Sequence, residues 1–248
     1  MNELSHSIII PCAGQSSRFD SLIPKPLTMI NGKISLNVLL SALDSSFDQI
    51  IIPIPPGADM LNRFETALDN KYLEKVQLVA SVPGQGDGGA ILDGMEYLQT
   101  KEKHFFVCWG DTFIINKTIF SDLLKFALSD SLMSYAYIPL VYLDNPYVSY
   151  TLDNEKFILD AQQSIDGHTF QAGFADQSIF MLSKDIKKFL QTSSLNITSS
   201  VKGASEISLL RSFKTLVSKN LKLKPMIRES KDSLAFNTKE DLATIIKL

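Results

Sequence analysis

A chain of 248 residues with a formal charge of −3 and an apolar share of 45% holds enough material for one sizeable hydrophobic core, and a length of this order suits a single α/β domain. Its 27 acidic residues against 24 basic ones exclude a broad nucleic-acid or anionic-membrane footprint, which needs a concentrated positive field. Two cysteines, Cys12 and Cys108, are too few for a disulfide framework or a Cys-rich zinc site. The opening Met-Asn-Glu-Leu-Ser-His has no basic and apolar leader, and no apolar run reaches the length of about 18 residues that a membrane span needs, so a soluble protein of the reducing cytoplasm is expected.

Along the chain, Ser7–Pro11, Gln49–Pro53, Val76–Ser81 and Phe105–Trp109 are short apolar runs of the kind that form strands buried on both faces. Between them Ser35–Leu43, Ala58–Leu68, Gly89–Leu98 and Ile119–Leu128 carry apolar residues at spacings of three and four, as helices packed on a sheet do. That alternation predicts βα units with right-handed crossovers. After Asp130 the pattern becomes β-rich, with Met133–Leu143, Tyr147–Leu152, Lys156–Ala161 and Ser178–Leu182 separated by turn residues, which predicts a mixed or antiparallel extension. Helices at Lys184–Leu190 and Ser205–Phe213, a strand near Leu221–Ile227 and a terminal helix from Lys239 complete the expectation. Thr238 and Asp241 are spaced as a capping box for that last helix. No repeat or long linker divides the chain; Gln191–Lys202, rich in Ser, Thr and Asn, reads as a surface loop.

The stretch Ile8-Ile9-Ile10-Pro11-Cys12-Ala13-Gly14-Gln15-Ser16-Ser17-Arg18-Phe19 runs a strand directly into a loop of small residues, followed by Pro24-Lys25-Pro26-Leu27. Ala13 and Gly14 leave backbone N–H groups accessible to phosphate oxygens, Ser16 and Ser17 add hydroxyl donors, and Arg18 and Lys25 add cations. Neither the Walker pattern nor the G-x-G-x-x-G fingerprint is present. Asp111 follows the fourth strand, at the edge where open α/β sheets bind ligands.

On these residues the chain resembles the nucleotidyltransferase family that activates sugar phosphates and related phosphoesters. Its opening motif approximates P-A-A-G-x-G-x-R-[FL] followed by P-K-x-L. Further along, Val82-Pro83-Gly84-Gln85-Gly86-Asp87-Gly88-Gly89-Ala90-Ile91 is similar to the second nucleotide-binding loop, with Asp87 where relatives commonly have Thr. Phe106-Val107-Cys108-Trp109-Gly110-Asp111 resembles the strand leading to a metal-binding Gly-Asp, and Gln171-Ala172-Gly173-Phe174 the segment lining the acceptor pocket. Phe236-Asn237-Thr238-Lys239-Glu240-Asp241-Leu242 resembles the closing motif whose first residue completes the metal site.

The resemblance implies one domain, 1–248, of three-layer α/β/α class with a central mixed, mostly parallel sheet, the Rossmann-like nucleotide-diphospho-sugar transferase fold. Residues 1–130 would form the nucleotide-binding half and 131–248 the acceptor-binding half. It implies Mg²⁺ held by Asp111 and Asn237, and catalytic roles for Arg18, Lys25 and Asp111. Ala13, Gly14, Gln15, Ser16, Ser17, Arg18, Gln85, Gly86 and Asp87 would bind the nucleotide, and Gln171 and Gly173 the acceptor. The implied partners are a nucleoside triphosphate, CTP or UTP ahead of the others, and a small phosphorylated acceptor, a sugar phosphate ahead of others, in nucleotide-sugar and surface-polysaccharide biosynthesis. Neither nucleic acid nor membrane is expected as a partner, and a homo-oligomer is left open. Gln162-Gln163-Ser164 stands where sugar-1-phosphate enzymes often carry Glu-Lys, which brings in a cytidylyltransferase acting on a choline-like or amino-acid-like phosphoester.

Plainer readings stand beside these. Asp111 alone would be an Asx-turn residue, Asn237 a turn before a helix, and Asp241 a cap rather than a ligand. Asp87 either reads base N–H donors or caps the helix beginning at Gly88, the cap being preferred. Cys12 and Cys108 are expected as buried reduced thiols, and Trp109 as core. A glycosyltransferase on the same fold would carry Asp-x-Asp, which Gly110-Asp111-Thr112-Phe113 lacks. An inert nucleotide-sensing domain would not need Arg18, Lys25 and Asp111 together.

Overall fold

The computed structural model describes residues 6–14, 23–43, 47–82, 84–99, 103–193 and 206–247. In chain order the strands and helices are β1 (Ser7–Ile9), β2 (Met29–Ile30), β3 (Lys33–Ile34), α1 (Ser35–Leu43), β4 (Gln49–Ile54), α2 (Ala58–Ala67), β5 (Val76–Ala80), α3 (Gly86–Met95), β6 (His104–Cys108), β7 (Thr112–Ile114) and α4 (Thr118–Leu128). The second half adds β8 (Ala136–Asp144), β9 (Val148–Leu152), β10 (Ile158–Gln163), β11 (Ala172–Asp176), β12 (Ile179–Ser183), α5 (Lys187–Ser193), α6 (Leu209–Ser218), β13 (Leu223–Arg228), β14 (Ser233–Ala235) and α7 (Lys239–Ile246).

The four apolar runs of the first half become parallel strands in the order β5-β4-β1-β6. Because side chains alternate across a strand, Ile8, Ile10, Ile50 and Ile52 face one way, into a core with α1, α2 and α4. Ile9, Ile51, Phe105 and Val107 face the other, into a core with α3, α5 and α6. The three layers follow from that alternation, and the mixed sheet agrees with the expected class.

The extension after Asp130 is largely antiparallel. β12 lies antiparallel between β6 and β8, and β13 adds to β8 in parallel. Ile179 pairs with Cys108 while Met181 pairs with Tyr137, so the later part of β8 continues beyond the carboxyl end of β6. On that overhang β11, β9 and β10 assemble antiparallel, a small sheet standing over the carboxyl edge of the parallel strands.

Three helices start three or four residues from the sequence expectation; of these, α5 begins at Lys187 rather than Lys184 and runs to Ser193, because Lys184–Ile186 form a 3-10 turn capped by Ser183. α3 starts at Gly86 rather than Gly89, because Ile207 lies against its first turn. A Cβ at Gly86 would meet the Ile207 carbonyl oxygen at 2.4 Å, and one at Gly88 would meet Ile207 Cγ2 at 2.6 Å. α6 starts at Leu209 rather than Ser205 and continues to Ser218, since Leu209 N–H is capped from α3. The strands β2, β3, β7, β11 and β14 were not anticipated as strands. The capping box of α7 is present, with Thr238 Oγ1 accepting from Asp241 N–H and the Asp241 carboxylate accepting from Thr238 N–H.

Candidate active site

Open sheets of this order bind ligands where the crossover direction reverses, which here is between β1 and β6. The segments following these two strands flank that point: Cys12, Ala13 and Gly14 after β1, and Trp109, Gly110 and Asp111 after β6. They touch, since Gly110 N–H points to the Pro11 carbonyl oxygen at 3.4 Å. The contact requires glycine: a Cβ at 110 would meet Cys12 Sγ at 2.5 Å and Pro26 Cγ at 3.3 Å. Gly14 is exposed, with open space where a Cβ would stand. Gln15, Ser16, Ser17 and Arg18 lie outside the described residues.

Lys25 is presented by a short 3-10 turn, Lys25–Leu27, that Pro24 and Pro26 stiffen. Ser35, at the start of α1, donates its hydroxyl to the Pro26 carbonyl at 2.7 Å and holds that turn on the helix. The side chain reaches across to Asp111, with Nζ 2.5 Å from Oδ2, and donates also to Asn237 Oδ1 at 3.2 Å. The pair is largely enclosed, at 12% and 18% side-chain exposure, so its Coulomb attraction is screened less than a surface ion pair. The Phe236 ring lies 5.9 Å from Nζ.

Asn237 arrives from the far end of the chain on an antiparallel ribbon. β14 pairs with β7, Ser233 with Ile114 and Ala235 with Thr112, and Phe236 N–H donates to the Asp111 carbonyl at 3.2 Å. Asp241 then accepts from Asn237 N–H at 2.8 Å and Thr238 N–H at 2.9 Å, which fixes the backbone at Asn237. Asp241 acts as a cap.

The donor set is the test of a divalent cation here. A carboxylate oxygen and an amide oxygen from segments more than a hundred residues apart converge on one point that the Lys25 ammonium holds. Two hard oxygens, with phosphate and water oxygens for the remaining positions, fit Mg²⁺, which is seldom caged by protein ligands alone. Among the described residues no three of His, Cys, Asp or Glu gather as a metal cluster, which a sparse site of this kind does not need. The thiols do not compete: burial, the Asp111 charge and Cys108 push Cys12 well up, and burial above all pushes Cys108 to about 12. Both are free and buried.

Asp87 is part-buried in the first turn of α3, and its Oδ1 accepts from its neighbour Gly88 N–H at 2.8 Å and from Leu209 N–H at 3.0 Å. It therefore caps α6 from the neighbouring helix. The adjoining backbone is also occupied, since Gln85 O accepts from Ile207 N–H and Gly88 N–H donates to Ile207 O, both at 2.9 Å. Burial raises the Asp87 carboxyl to about 6 despite these hydrogen bonds. A raised carboxyl favours the folded state only while protonated, so its contribution is present below pH ~4 and lost as pH rises through about 6. Asp87→Asn keeps an oxygen acceptor and removes that titration. Its melting temperature relative to wild type is expected to climb between pH 5 and pH 7.5, by the equivalent of about 1 kcal/mol; a difference that stays flat with pH would contradict this account.

Gln171 and Gly173 are placed on the overhanging sheet. Gln171 O accepts from Asn145 N–H at 2.9 Å, and a Cβ at Gly173 would meet Ser149 Oγ at 2.5 Å; these contacts are separate from the Lys25 cluster. Two residues that the sequence did not single out stand close to the site segments. Ser81, just after β5, is buried with no partner for its hydroxyl. Gln177, between β11 and β12, bonds the arm that carries Asn237. Neither belongs to a recognisable motif, and only an orphaned atom or a long-range contact reveals them.

Residues 8–138 match the model of the MobA-like NTP transferase domain. The bifunctional protein GlmU of Francisella philomiragia is 28% identical over 170 residues, covering 66% of this chain and 35% of that protein. The chain thus spans about a third of that relative's length. Among solved structures, HddC from Yersinia pseudotuberculosis superposes with a TM-score of 0.73 at 22% identity over 98% of both chains. The same protein complexed with GMP-PN gives 0.72 at 21% identity, again over 98% of both chains. The inositol-1-phosphate CTP transferase from T. maritima gives 0.68 at 17% identity, over 98% of this chain and 97% of that one. These structures share the fold.

Proposed function

Since the chain belongs to the MobA-like NTP transferase domain family and is a nucleotidyltransferase, we propose that it joins a nucleotide from a nucleoside triphosphate to a small phosphorylated acceptor, a sugar phosphate first among them. One observation carries this reading: Lys25 Nζ, Asp111 Oδ2 and Asn237 Oδ1 meet at one point beside the loop after β1. That is a place to gather two anionic substrates. An acceptor phosphate oxygen attacks the α-phosphorus in line, a P–O bond forms, and the bond to the β-phosphate breaks with release of pyrophosphate.

A phosphomonoester has a second pKa of about 6 and is mostly dianionic at neutral pH, so no general base is needed. The protein's work is positional and electrostatic. Lys25, released from its carboxylate partner by an incoming anion, neutralises the reacting phosphate. Arg18, as its motif implies, holds the triphosphate, and Ala13 and Gly14 offer backbone to it. Asp111 and Asn237 would hold Mg²⁺, which supplies Lewis-acid polarisation of the phosphoryl oxygens. Gln85 and Gly86 lie on the nucleotide side. Gln171 and Gly173 lie on the acceptor side, so within one domain residues 1–130 form the nucleotide-binding half, and 131–248 the acceptor-binding half together with the closing cation ligand Asn237.

CTP or UTP is the expected triphosphate. Support for screening more widely comes from the relatives, one described with GMP-PN and another as a CTP transferase. Two buried free thiols accord with a reducing cytoplasm, and among the described residues no helix is long and apolar enough to cross a membrane. The decisive measurement is pyrophosphate release from each of the four common triphosphates, with Mg²⁺, against sugar phosphates and phosphorylated alcohols. Release that requires one triphosphate and one acceptor class is expected. Nucleotide binding without pyrophosphate release across the whole panel would overturn the reading.

A further inference from the structure

Asp111 and Asn237 come from segments distant in sequence, so something must fix their separation. β11 and β12 run antiparallel to β8 as one path with a kink between them: Asp176 pairs with Leu140, but Met181 pairs with Tyr137, so extra residues are taken up at Gln177 and Ser178. Ser178 sits at φ 60°, a left-handed conformation disfavoured for residues other than glycine. The kink is held by Asp176, whose Oδ1 accepts from Ser178 N–H at 2.8 Å and whose Oδ2 accepts from Tyr150 OH at 3.0 Å.

Both cation-binding segments hang from this kink. Trp109 N–H, two residues before Asp111, donates to Ser178 O at 3.1 Å. On the other side, Asp232 N–H donates to Gln177 Oε1 and Ser233 Oγ donates to Gln177 O, so the root of β14 is bonded to the same residue. Gln177 is 3% exposed, and its Nε2 is buried with no partner among the described residues. A buried amide with one half unsatisfied carries a desolvation cost that an apolar side chain of equal size would avoid. Packing alone does not call for glutamine here; the bond to the arm does.

We propose that Gln177 is a positioning residue for the nucleotidyl-transfer site: it sets the spacing of Asp111 and Asn237 by tying the arm that carries Asn237 to the kink whose next residue, Ser178, holds the segment of Asp111. This rests on the reading of Asp111 and Asn237 as the divalent-cation pair. Gln177 touches neither oxygen of that pair and acts through β14. Groups hydrogen-bonded directly to metal ligands change affinity by about 10- to 100-fold when removed, and Gln177, acting at one remove, is expected at the lower end of that range.

The test titrates Mn²⁺ alone into the full chain, free of nucleotide, and reads bound metal by electron paramagnetic resonance. Gln177→Met retains size and removes the bond to Asp232 N–H; Ser233→Ala removes only the hydroxyl bond to the Gln177 carbonyl and serves if the first variant folds poorly. Both are expected to weaken Mn²⁺ binding, Gln177→Met by about tenfold, with kcat recovered at high Mn²⁺ and KM for the triphosphate little changed. Asp130→Asn, at a buried position outside the site, lowers the melting temperature without shifting Mn²⁺ affinity. Wild-type binding abolished by Asp111→Asn but retained in folded Gln177→Met and in Ser233→Ala would overturn the positioning role alone. Wild-type binding that is absent, or indifferent to Asp111→Asn, would overturn the cation pair and this proposal with it.

Discussion

Lys25→Met is expected to lower kcat by about a hundred- to a thousand-fold while leaving the melting temperature within a few degrees of wild type. The magnitude is that of removing one preorganised donor from a developing anionic transition state. Methionine retains the length that packs beside Phe236 and loses only the ammonium, whose partners are Asp111 and Asn237. Stability changes little because the Asp111 carboxylate keeps some access to water, at 18% side-chain exposure. Steady-state pyrophosphate release and a thermal melt on the same preparation separate the two effects. Turnover within threefold of wild type would remove Lys25 from the chemistry.

The largest effect on stability is expected at Asp130→Ala, which should cost about 3 kcal/mol, because it strips several donors of their buried carboxylate while the Lys224 left behind is part-exposed. Asp130 is 5% exposed and accepts from Lys224 Nζ at 2.8 Å, Ser134 Oγ at 2.7 Å and Tyr137 OH at 3.0 Å. It thereby clamps the entry to β8 onto β13. Burial alone would raise its carboxyl, but the hydrogen bonds from Lys224, Ser134 and Tyr137 outweigh that and hold it well below the usual carboxylate range. For a depressed carboxyl the stabilisation is present above the unfolded value of ~4 and is lost as pH falls below it. Urea unfolding should therefore show the wild-type advantage at pH 7 and its shrinkage toward pH 3; a loss under 1 kcal/mol at pH 7 would contradict the clamp.

β1, β4 and β6 were legible because each is an apolar run buried on both faces, whereas β5, a largely half-buried edge strand interrupted by Gln77, was legible only from its Val and Leu residues. α1 was legible to the residue, since Ser35 opens a clean helical spacing. The ribbon of β7 and β14 was not: three residues show no period, and their partner lies more than a hundred positions away. α3 begins among glycines, which propensity assigns to loops, and only the approach of Ile207 makes them necessary. At the site, Lys25, Asp111 and Asn237 stood in motifs, yet their meeting at one point is a tertiary fact. Gln177 and Ser81 have no motif at all, and their importance lies in which of their atoms are bonded or left unbonded.

The β7–β14 ribbon also orders events during synthesis. The strands of the parallel sheet and the turn that bears Lys25 leave the ribosome before β14, and at about 5–20 residues/s they have several seconds to pack before it follows. Throughout that interval the Lys25–Asp111 pair lacks the amide oxygen of Asn237. Once Ser233–Ala235 zips onto Thr112–Ile114, the second oxygen arrives. A nascent chain can thus acquire the strands flanking the site well before it acquires a finished site, and competence is conferred by a segment made more than a hundred residues after Asp111.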